Sequence, residues 1–270
     1  MGAKTKIDWA DATWNPVTGC LHGCEYCYAR RIAERFRPIK IYDPECQCQR
    51  HLIAQGMLKG TGKPLELDYP WEQKNKDGSI TNAAYPFGFE PTFHRYRLGE
   101  PQKWKKPRNI FVCSMADLFG EWVPDEWIRE VFQACEKAPQ HRYLFLTKNP
   151  ARLCKMASAG ILPCHDNWWF GSTLDNKNAK RFQGGIKYHT FTSIEPLTEH
   201  MHVGLGSFGS DEWVIVGAET GNRKGKIVPR REWVENIVEA AQITGVKVFM
   251  KESLRGLMGP DFRQEFPWEE

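Results

Sequence analysis

Short apolar runs alternate with segments of helical character over the second half of the chain. The runs are Ile110–Cys113, Tyr143–Leu146, Trp168–Phe170, His189–Thr192, Trp213–Val216 and Val246–Met250. Between them, Trp127–Ala138 and Trp233–Ile243 carry apolar residues at helical spacing. Nearly continuous apolar strands are typical of a parallel sheet that is covered on both faces. The pattern predicts an α/β fold with parallel strands, arranged as a full or partial (β/α) TIM-like barrel.

The first part of the chain predicts one strand and one helix on either side of a cysteine-rich loop. The strand is Thr13–Thr18. After the loop, apolar residues recur at helical spacing, at Ala29, Ile32, Ala33 and Phe36. Pro38 ends the helix, since proline cannot continue it. The loop therefore lies between a strand and a helix, where (β/α) barrels build their active sites.

Residues 39–86 do not continue this alternation of predicted strands and helices. They are polar and rich in Gly, Pro and Lys, with a turn predicted at Asp77-Gly78. We interpret them as one insertion after the first helix, in a single domain that spans residues 1–270. Within it, Cys46, Cys48 and His51 could hold a second metal. The alternative is a plain surface loop, since no fourth ligand is evident.

Composition sets broad limits on the function. The 270 residues are 41% hydrophobic, with a net charge of +4, which permits a nucleic-acid partner without demanding one. The N-terminus has no apolar signal region, and no window approaches 18 uninterrupted apolar residues, so we expect neither export nor membrane spanning. Nine cysteines without an export signal favour the reducing cytoplasm.

Three cysteines lie within eight residues, in the segment Cys20-Leu-His-Gly-Cys24-Glu-Tyr-Cys27. A structural zinc site takes four protein ligands, whereas this C-x3-C-x2-C spacing supplies three. Three thiolates on a four-iron cluster would leave one iron open to a small molecule. The alternative is a set of core or zinc-binding cysteines.

This motif resembles the hallmark of the radical S-adenosylmethionine (SAM) enzymes, which have an aromatic residue, here Tyr26, before the third cysteine. The flanking Trp14-Asn15-Pro16-Val17-Thr18-Gly19 and Tyr28-Ala29-Arg30 look like a phage-associated branch, distantly similar to spore photoproduct lyase. Further segments also look like this branch, so that the resemblance covers most of the chain outside residues 39–86: Ser114-Met-Ala-Asp117-Leu-Phe, Leu146-Thr-Lys148, Glu195-Pro-Leu and Val216-Gly-Ala-Glu219-Thr-Gly.

The resemblance implies a cofactor set and a reaction. Cys20, Cys24 and Cys27 would bind a [4Fe-4S] cluster, whose open iron binds SAM. Reductive cleavage of SAM then gives a 5′-deoxyadenosyl radical that abstracts hydrogen from a substrate. The electron comes from an external donor of the flavodoxin or ferredoxin type.

The resemblance also implies which residues contact SAM. Tyr26 would contact the cofactor, and Gly88-Phe-Glu90-Pro91-Thr92 resembles a Gly-Gly-Glu-Pro-Thr segment that binds the methionine amino group. Phe89 departs from that pattern, which puts a close backbone approach in doubt. Polar residues at the strand ends would face the same barrel mouth. Four of these are suitable SAM contacts by their chemistry: Ser114, Lys148, Ser172 and Glu195.

A basic stretch follows the predicted strand Trp213–Val216. Between Glu219 and Glu232 it contains five basic residues and no acidic one: Arg223, Lys224, Lys226, Arg230 and Arg231. Such a strip could hold nucleic-acid phosphates, and the alternative is an ordinary solvated face.

We therefore expect a radical SAM enzyme whose substrate is a nucleobase in DNA, such as a modified thymine that is rearranged by an isomerase during phage DNA hypermodification. It would act in the cytoplasm, which is the host cytoplasm if the gene is phage-encoded. One alternative is a radical SAM enzyme that acts on tRNA or on a free small metabolite. Another is a non-catalytic iron–sulfur protein that binds nucleic acid.

The cysteine assignment predicts the effect of single substitutions on bound iron. Cys20→Ala, Cys24→Ala and Cys27→Ala should each lose most of the iron and all SAM cleavage, because two thiolates leave the cluster under-ligated. Cys46→Ala and Cys48→Ala should keep both. Iron analysis of anaerobically reconstituted protein is the measurement. Iron near the wild-type content in Cys24→Ala would contradict the assignment, and iron loss in Cys46→Ala would indicate a second site.

Overall fold

The computed structural model describes residues 5–38, 64–175, 180–204 and 206–269. The α-helices are α1 (Tyr28–Arg35), α2 (Asp125–Glu136), α3 (Pro150–Ser158), α4 (Arg231–Ile243) and α5 (Arg255–Met258). The strands are β1 (Ala12–Trp14), β2 (Val17–Thr18), β3 (Leu65–Leu67), β4 (Glu72–Lys74), β5 (Ile80–Asn82), β6 (Thr92–His94), β7 (Asn109–Val112), β8 (Arg142–Thr147), β9 (Trp168–Thr173), β10 (His189–Ile194), β11 (Trp213–Val216) and β12 (Lys247–Met250). Within these ranges, no helix is long and apolar enough to cross a membrane.

Seven strands form one sheet, in the order β1-β7-β8-β9-β10-β11-β12. Each neighbouring pair from β8 to β12 is parallel. Helices α2, α3 and α4 alternate with strands along the chain. The predicted α/β fold with parallel strands is confirmed. Among the described strands β1 and β12 end the sheet, which is compatible with a partial TIM-like barrel.

The chain divides into two compact units. We call the first the strand unit, which consists of Met1–Ala12, Arg108–Phe111 and His141–Glu270. The second, the cysteine unit, consists of Thr13–Pro107 and Val112–Gln140. The predicted catalytic cysteines all belong to the cysteine unit.

The core of the strand unit explains the continuous apolar runs. All four residues of β11 are buried. Successive strand side chains point to opposite faces. Accordingly, Val214 and Val216 pack in one hydrophobic cluster with Ile237 of α4, while Trp213 and Ile215 pack in another. Both faces are therefore apolar, as expected for a parallel strand that is covered on both sides.

The predicted strand Thr13–Thr18 is two strands, so that prediction was wrong in its extent. β1 belongs to the seven-stranded sheet, whereas β2 pairs antiparallel with β6 in a separate sheet of order β2-β6-β3. Pro16 lies between them, and proline lacks the N–H that a continuous ladder requires. The chain changes sheets at this proline, immediately before the cysteine loop.

Within the predicted insertion, the structure describes residues 64–86, and these form strands rather than a βα unit. β3 pairs parallel with β6, and β4 pairs with β5 in a hairpin. The predicted turn at Asp77-Gly78 is confirmed: Gly78 has φ +85°, and the Asp77 carboxylate accepts a hydrogen bond from the Ser79 N–H at 3.0 Å. Cys46, Cys48 and His51 lie outside the described residues.

The predicted helix after the cysteine loop is confirmed as α1, but its buried face differs from the apolar pattern. Ala29 and Ala33 are buried, whereas Ile32 and Phe36 are exposed. The two alanines pack against three large side chains: Tyr85, Phe89 and Met115. Because these partners are large, small residues on α1 allow the helix to approach closely.

Candidate functional site

The three cysteines of the motif lie on the loop between β2 and α1, as predicted. Cys27 is the N-cap of α1, and its Sγ accepts a hydrogen bond from the Arg30 N–H at 3.3 Å. The Cys27 N–H donates to the Cys24 carbonyl at 3.3 Å. The Cys27 side chain is thereby fixed at the N-terminus of α1, an end of the helix that favours negatively charged groups.

The thiols are partly buried and act on one another. Burial raises the pKa of the Cys20 thiol to about 12, and the charges of Asp117, Cys27 and Cys24 also raise it. Cys20 and Cys27 pack against the hydrophobic cluster around Ala29. A metal that binds here would have to displace the Cys20 proton, as metal binding to thiols generally does.

The donor set fits an iron–sulfur cluster by its chemistry. Three thiols are the ligands that such clusters use. In the described ranges, however, no three His, Cys, Asp or Glu side chains are grouped so that they could hold a metal ion. Gly23, inside the motif, has φ +71° and no atom within 4 Å of the position that a Cβ would occupy. The thiols would therefore have to draw together on binding, and the loop has steric room at Gly23.

Gly19 brings the start of the cysteine loop against the segment Gly88–Thr92. Gly19 has φ +85°, and a Cβ on it would lie 2.2 Å from the Glu90 carbonyl oxygen and 2.7 Å from that of Phe89. The Cys20 N–H donates to the Phe89 carbonyl at 3.3 Å. Two segments that resemble the superfamily, far apart in sequence, are thus in direct backbone contact.

Glu90 is held in place by its backbone, and its side chain is half-buried. The Thr92 hydroxyl donates to the Glu90 carbonyl at 2.8 Å. Burial raises the pKa of the Glu90 carboxyl, and Arg37 partly opposes this rise. The neighbouring Phe89 is buried, with the Arg30 guanidinium 4.9 Å from its ring centroid. Phe89 is therefore a packing residue. The close backbone approach to this segment is made by Gly19 of the cysteine loop.

A third segment, Ser114–Phe119, also contacts the cysteine loop. The Gly19 N–H donates to the Met115 carbonyl at 2.9 Å, and the Tyr28 hydroxyl donates to the Ser114 carbonyl at 2.8 Å. The Asn15 side-chain oxygen accepts bonds from the Met115 N–H at 2.9 Å and from the Ser114 hydroxyl at 3.2 Å. The predicted cofactor contact Ser114 is therefore beside the loop, and Asn15 fixes its hydroxyl.

The sequence analysis assigned no role to two residues near the cysteines, His22 and Asp117. His22 Nε2 lies 2.7 Å from an Asp117 carboxylate oxygen, and the edge of its ring meets Trp122, with ring centroids 4.9 Å apart. Asp117 also accepts a bond from the Phe119 N–H at 3.0 Å. The pair spans 95 residues of sequence, so local spacing gives no sign of it. The pair connects His22, which lies between Cys20 and Cys24, to the segment that follows β7.

In the strand unit, the predicted SAM contacts are bonded to other protein groups. Lys148 Nζ lies 2.6 Å from an Asp175 carboxylate oxygen, and Glu195 forms an ion pair with Lys251. Ser172 is 1% exposed, and its hydroxyl accepts a hydrogen bond from the Phe182 N–H at 2.9 Å. Lys148 and Glu195 directly follow β8 and β10, as predicted, and both have partners of opposite charge.

The predicted basic stretch is partly neutralised by acids on either side of it. Arg223 donates two hydrogen bonds to the buried Glu219 carboxylate, at 2.6 and 2.7 Å. Arg231 pairs with Glu235 at 2.7 Å and also with Asp261. The other three basic residues are exposed: Lys224, Lys226 and Arg230.

Comparison with known proteins identifies the family of this chain. A family model described as "Protein of unknown function (DUF5131)" matches residues 4–255, so the chain belongs to that family. The matched range contains the cysteine loop, Glu90 and all strands of the seven-stranded sheet. No curated protein and no solved structure matches the chain.

The contact of Gly19 predicts a stability difference between two glycines of the same loop. Gly19→Ala should lower the free energy of unfolding by more than Gly23→Ala. Both substitutions place a side chain at positive φ, at about 1–2 kcal/mol, but only Gly19→Ala also forces a Cβ against backbone oxygens. We expect the overlap to cost about 1–3 kcal/mol more. Urea denaturation of the metal-free proteins measures both values, and equal losses would contradict the contact.

Proposed function

We propose that this member of the DUF5131 family is a radical SAM enzyme, in which Cys20, Cys24 and Cys27 hold a four-iron cluster. The observation that carries the proposal is the convergence at Gly19. Its backbone contacts both the Glu90 segment and Met115. Three segments that resemble the superfamily separately in sequence are therefore neighbours in the cysteine unit, around three thiols.

The chain would contribute ligands, orientation and charge. When bound, the cluster and SAM supply a one-electron cleavage that yields a hydrogen-abstracting radical. Cys27 would present its thiolate at the N-terminus of α1, and Tyr26 would contact SAM from the same loop. Glu90, fixed by its backbone, would accept charge-assisted hydrogen bonds from the methionine amino group. Contacts from Ser114, Lys148, Ser172 and Glu195 remain part of the proposal, although each holds another protein group here.

For the substrate we favour a nucleobase in DNA, such as a modified thymine that is isomerised, with the cytoplasm as the place of action. A base in a duplex must leave the stack before its C–H bond is accessible, at a cost of a few kcal/mol. Phosphate contacts could offset that cost, and the exposed Lys224, Lys226 and Arg230 are suited to make them. tRNA or a free metabolite is the alternative substrate, and non-catalytic nucleic-acid binding is the alternative function.

Cleavage of SAM tests the enzymatic proposal directly. Anaerobically reconstituted protein with dithionite should form 5′-deoxyadenosine from SAM, and Glu90→Gln should weaken SAM binding by about 10- to 100-fold, as expected for a lost charge-assisted bond. The cluster spectrum of Glu90→Gln should stay unchanged, because no iron ligand is altered. Chromatography measures the product and equilibrium dialysis measures SAM binding.

The matched control is Glu126→Gln, which removes an exposed carboxylate in the first turn of α2 and should leave SAM affinity as it is. Absence of 5′-deoxyadenosine from protein with a complete cluster would exclude radical SAM activity and favour the non-catalytic alternative. If Glu90→Gln and Glu126→Gln bind SAM equally well, Glu90 is not the anchor of the amino group.

The DNA proposal predicts a salt dependence. Each phosphate contact contributes roughly 0.9 to the slope of log affinity against log salt. Lys224→Ala with Lys226→Ala should therefore weaken duplex binding and lower the slope by about two units, without changing base preference. Fluorescence anisotropy of a labelled duplex between 50 and 200 mM salt, roughly the range over which such contacts are lost, measures this.

The control pair is Lys187→Ala with Lys247→Ala, since both residues are exposed and lie at the amino ends of β10 and β12. It removes the same charge at the amino ends of the strands, whereas Lys224 and Lys226 follow the carboxyl end of β11. The control pair should therefore keep the wild-type slope. A wild-type protein without salt-dependent DNA binding would favour a free small metabolite as the substrate.

A further inference from the structure

Helix α1 buries its small residues and exposes its large apolar ones. Ala29 and Ala33 are buried, whereas Tyr28, Ile32 and Phe36 are 42%, 36% and 57% exposed. The three exposed residues are spaced by four, which places them along one side of the helix. A surface helix ordinarily turns its large apolar residues toward the core. We call this row of Tyr28, Ile32 and Phe36 the α1 stripe.

Arginines flank the α1 stripe. Arg31 and Arg35 are exposed, and each lies three residues after a member of the stripe, Tyr28 and Ile32, hence beside it on the helix surface. From Tyr28 to Arg37 the chain has four arginines and one acidic residue, Glu34. An apolar centre with aromatic residues and an arginine rim is the composition of a protein–protein interface. Its positive charge favours an acidic partner.

The α1 stripe also begins at the cysteine loop. Tyr28 directly follows Cys27, and its hydroxyl is held by the Ser114 carbonyl at 2.8 Å. Leu21, between the first two cysteines, is a further exposed apolar residue at 42%. A partner on this surface would therefore lie beside the proposed cluster ligands.

We propose that the α1 stripe, with Arg31 and Arg35, is the docking surface for a small acidic electron-carrier protein of the flavodoxin class. This inference rests on the proposed function, because reductive cleavage consumes one electron for each SAM molecule. The reduced carrier gives up that electron and leaves oxidised by one electron. The electron would be used to break the bond between the sulfur and the 5′ carbon of bound SAM, which would yield methionine and the deoxyadenosyl radical.

The composition of the surface favours a protein over a nucleic acid. Tyr28 and Phe36 carry rings on which a base could stack, whereas Leu21 and Ile32 on the same surface are aliphatic and offer none. Apolar side chains in a charged rim suit a small, transient protein contact of the kind that electron carriers make. The experiments below also test whether the α1 stripe binds nucleic acid or a second copy of this chain instead.

Binding can be measured without a cluster. Isothermal titration calorimetry of the metal-free protein with a purified flavodoxin should give a salt-dependent affinity. Arg31→Glu with Arg35→Glu should lower this affinity by at least tenfold. The control, Arg129→Glu with Lys137→Glu, makes the same change of charge at exposed positions on and just after α2, and should change affinity less than twofold. Ile32→Gln should weaken binding severalfold without changing its salt dependence, since it removes only apolar contact.

Activity with two reductants separates this inference from the proposed function. With dithionite, Arg31→Glu with Arg35→Glu should form 5′-deoxyadenosine at the wild-type rate, whereas with reduced flavodoxin its rate should fall at least tenfold. Failure of the wild type with dithionite would refute the proposed function. Normal dithionite activity combined with unchanged flavodoxin binding would refute the docking surface alone.

Two other outcomes would also overturn the docking surface. If the double variant loses DNA affinity but keeps flavodoxin affinity, the α1 stripe belongs to a nucleic-acid site. If sedimentation shows that wild-type protein is a dimer that Ile32→Gln dissociates, the stripe is an interface between copies. Circular dichroism of each variant excludes loss of folding as the cause of a change.

Discussion

The approach of Gly19 to the carbonyl oxygens of Phe89 and Glu90 is the constraint on which the candidate site depends. No side chain fits between these backbones, so the contact exists only because residue 19 is glycine. On its other side, the Gly19 N–H bonds to Met115. The cysteine loop is thereby held between two segments from distant parts of the sequence, and the backbone of Glu90 takes part in the same contact.

The size of the buried residues on α1 follows from this arrangement. Phe89 and Met115, which border Gly19, also pack against α1 at Ala29 and Ala33. The helix begins at the cysteine loop, with Cys27 as its N-cap. Its larger apolar residues are left on the outer side. The packing of α1 through its alanines thus leaves the α1 stripe exposed.

Paired charges are the common feature of the strand ends in the strand unit. Charged groups removed from water are costly unless they are paired. Lys148 has Asp175 as its partner, and buried Glu219 has Arg223. Basic residues counted along the sequence therefore overstate the charge available to a ligand. Two of these pairs, Glu219 with Arg223 and Arg231 with Glu235, are four residues apart, whereas Lys148 and Asp175 are far apart in the sequence.

The sequence by itself determined the elements whose signals are local. β11 and β12 were predictable because buried parallel strands are continuously apolar, and the turn at Asp77-Gly78 because only certain residues adopt its backbone angles. The strand–loop–helix setting of the cysteines was equally local. Local pattern could not show that the strand divides at Pro16, since continuation depends on which sheet offers a partner.

Tertiary structure decided which face of each element is buried and which polar groups meet. Apolar spacing alone placed Ile32 among the core positions of α1, whereas in the structure Ala29 and Ala33 are buried and Ile32 is exposed. His22 and Asp117 form a pair across 95 residues, and the contact of Gly19 with Glu90 is similarly long-range. Such contacts depend on the shapes of surfaces that only the folded chain brings together, which is why spacing along the sequence could not reveal them.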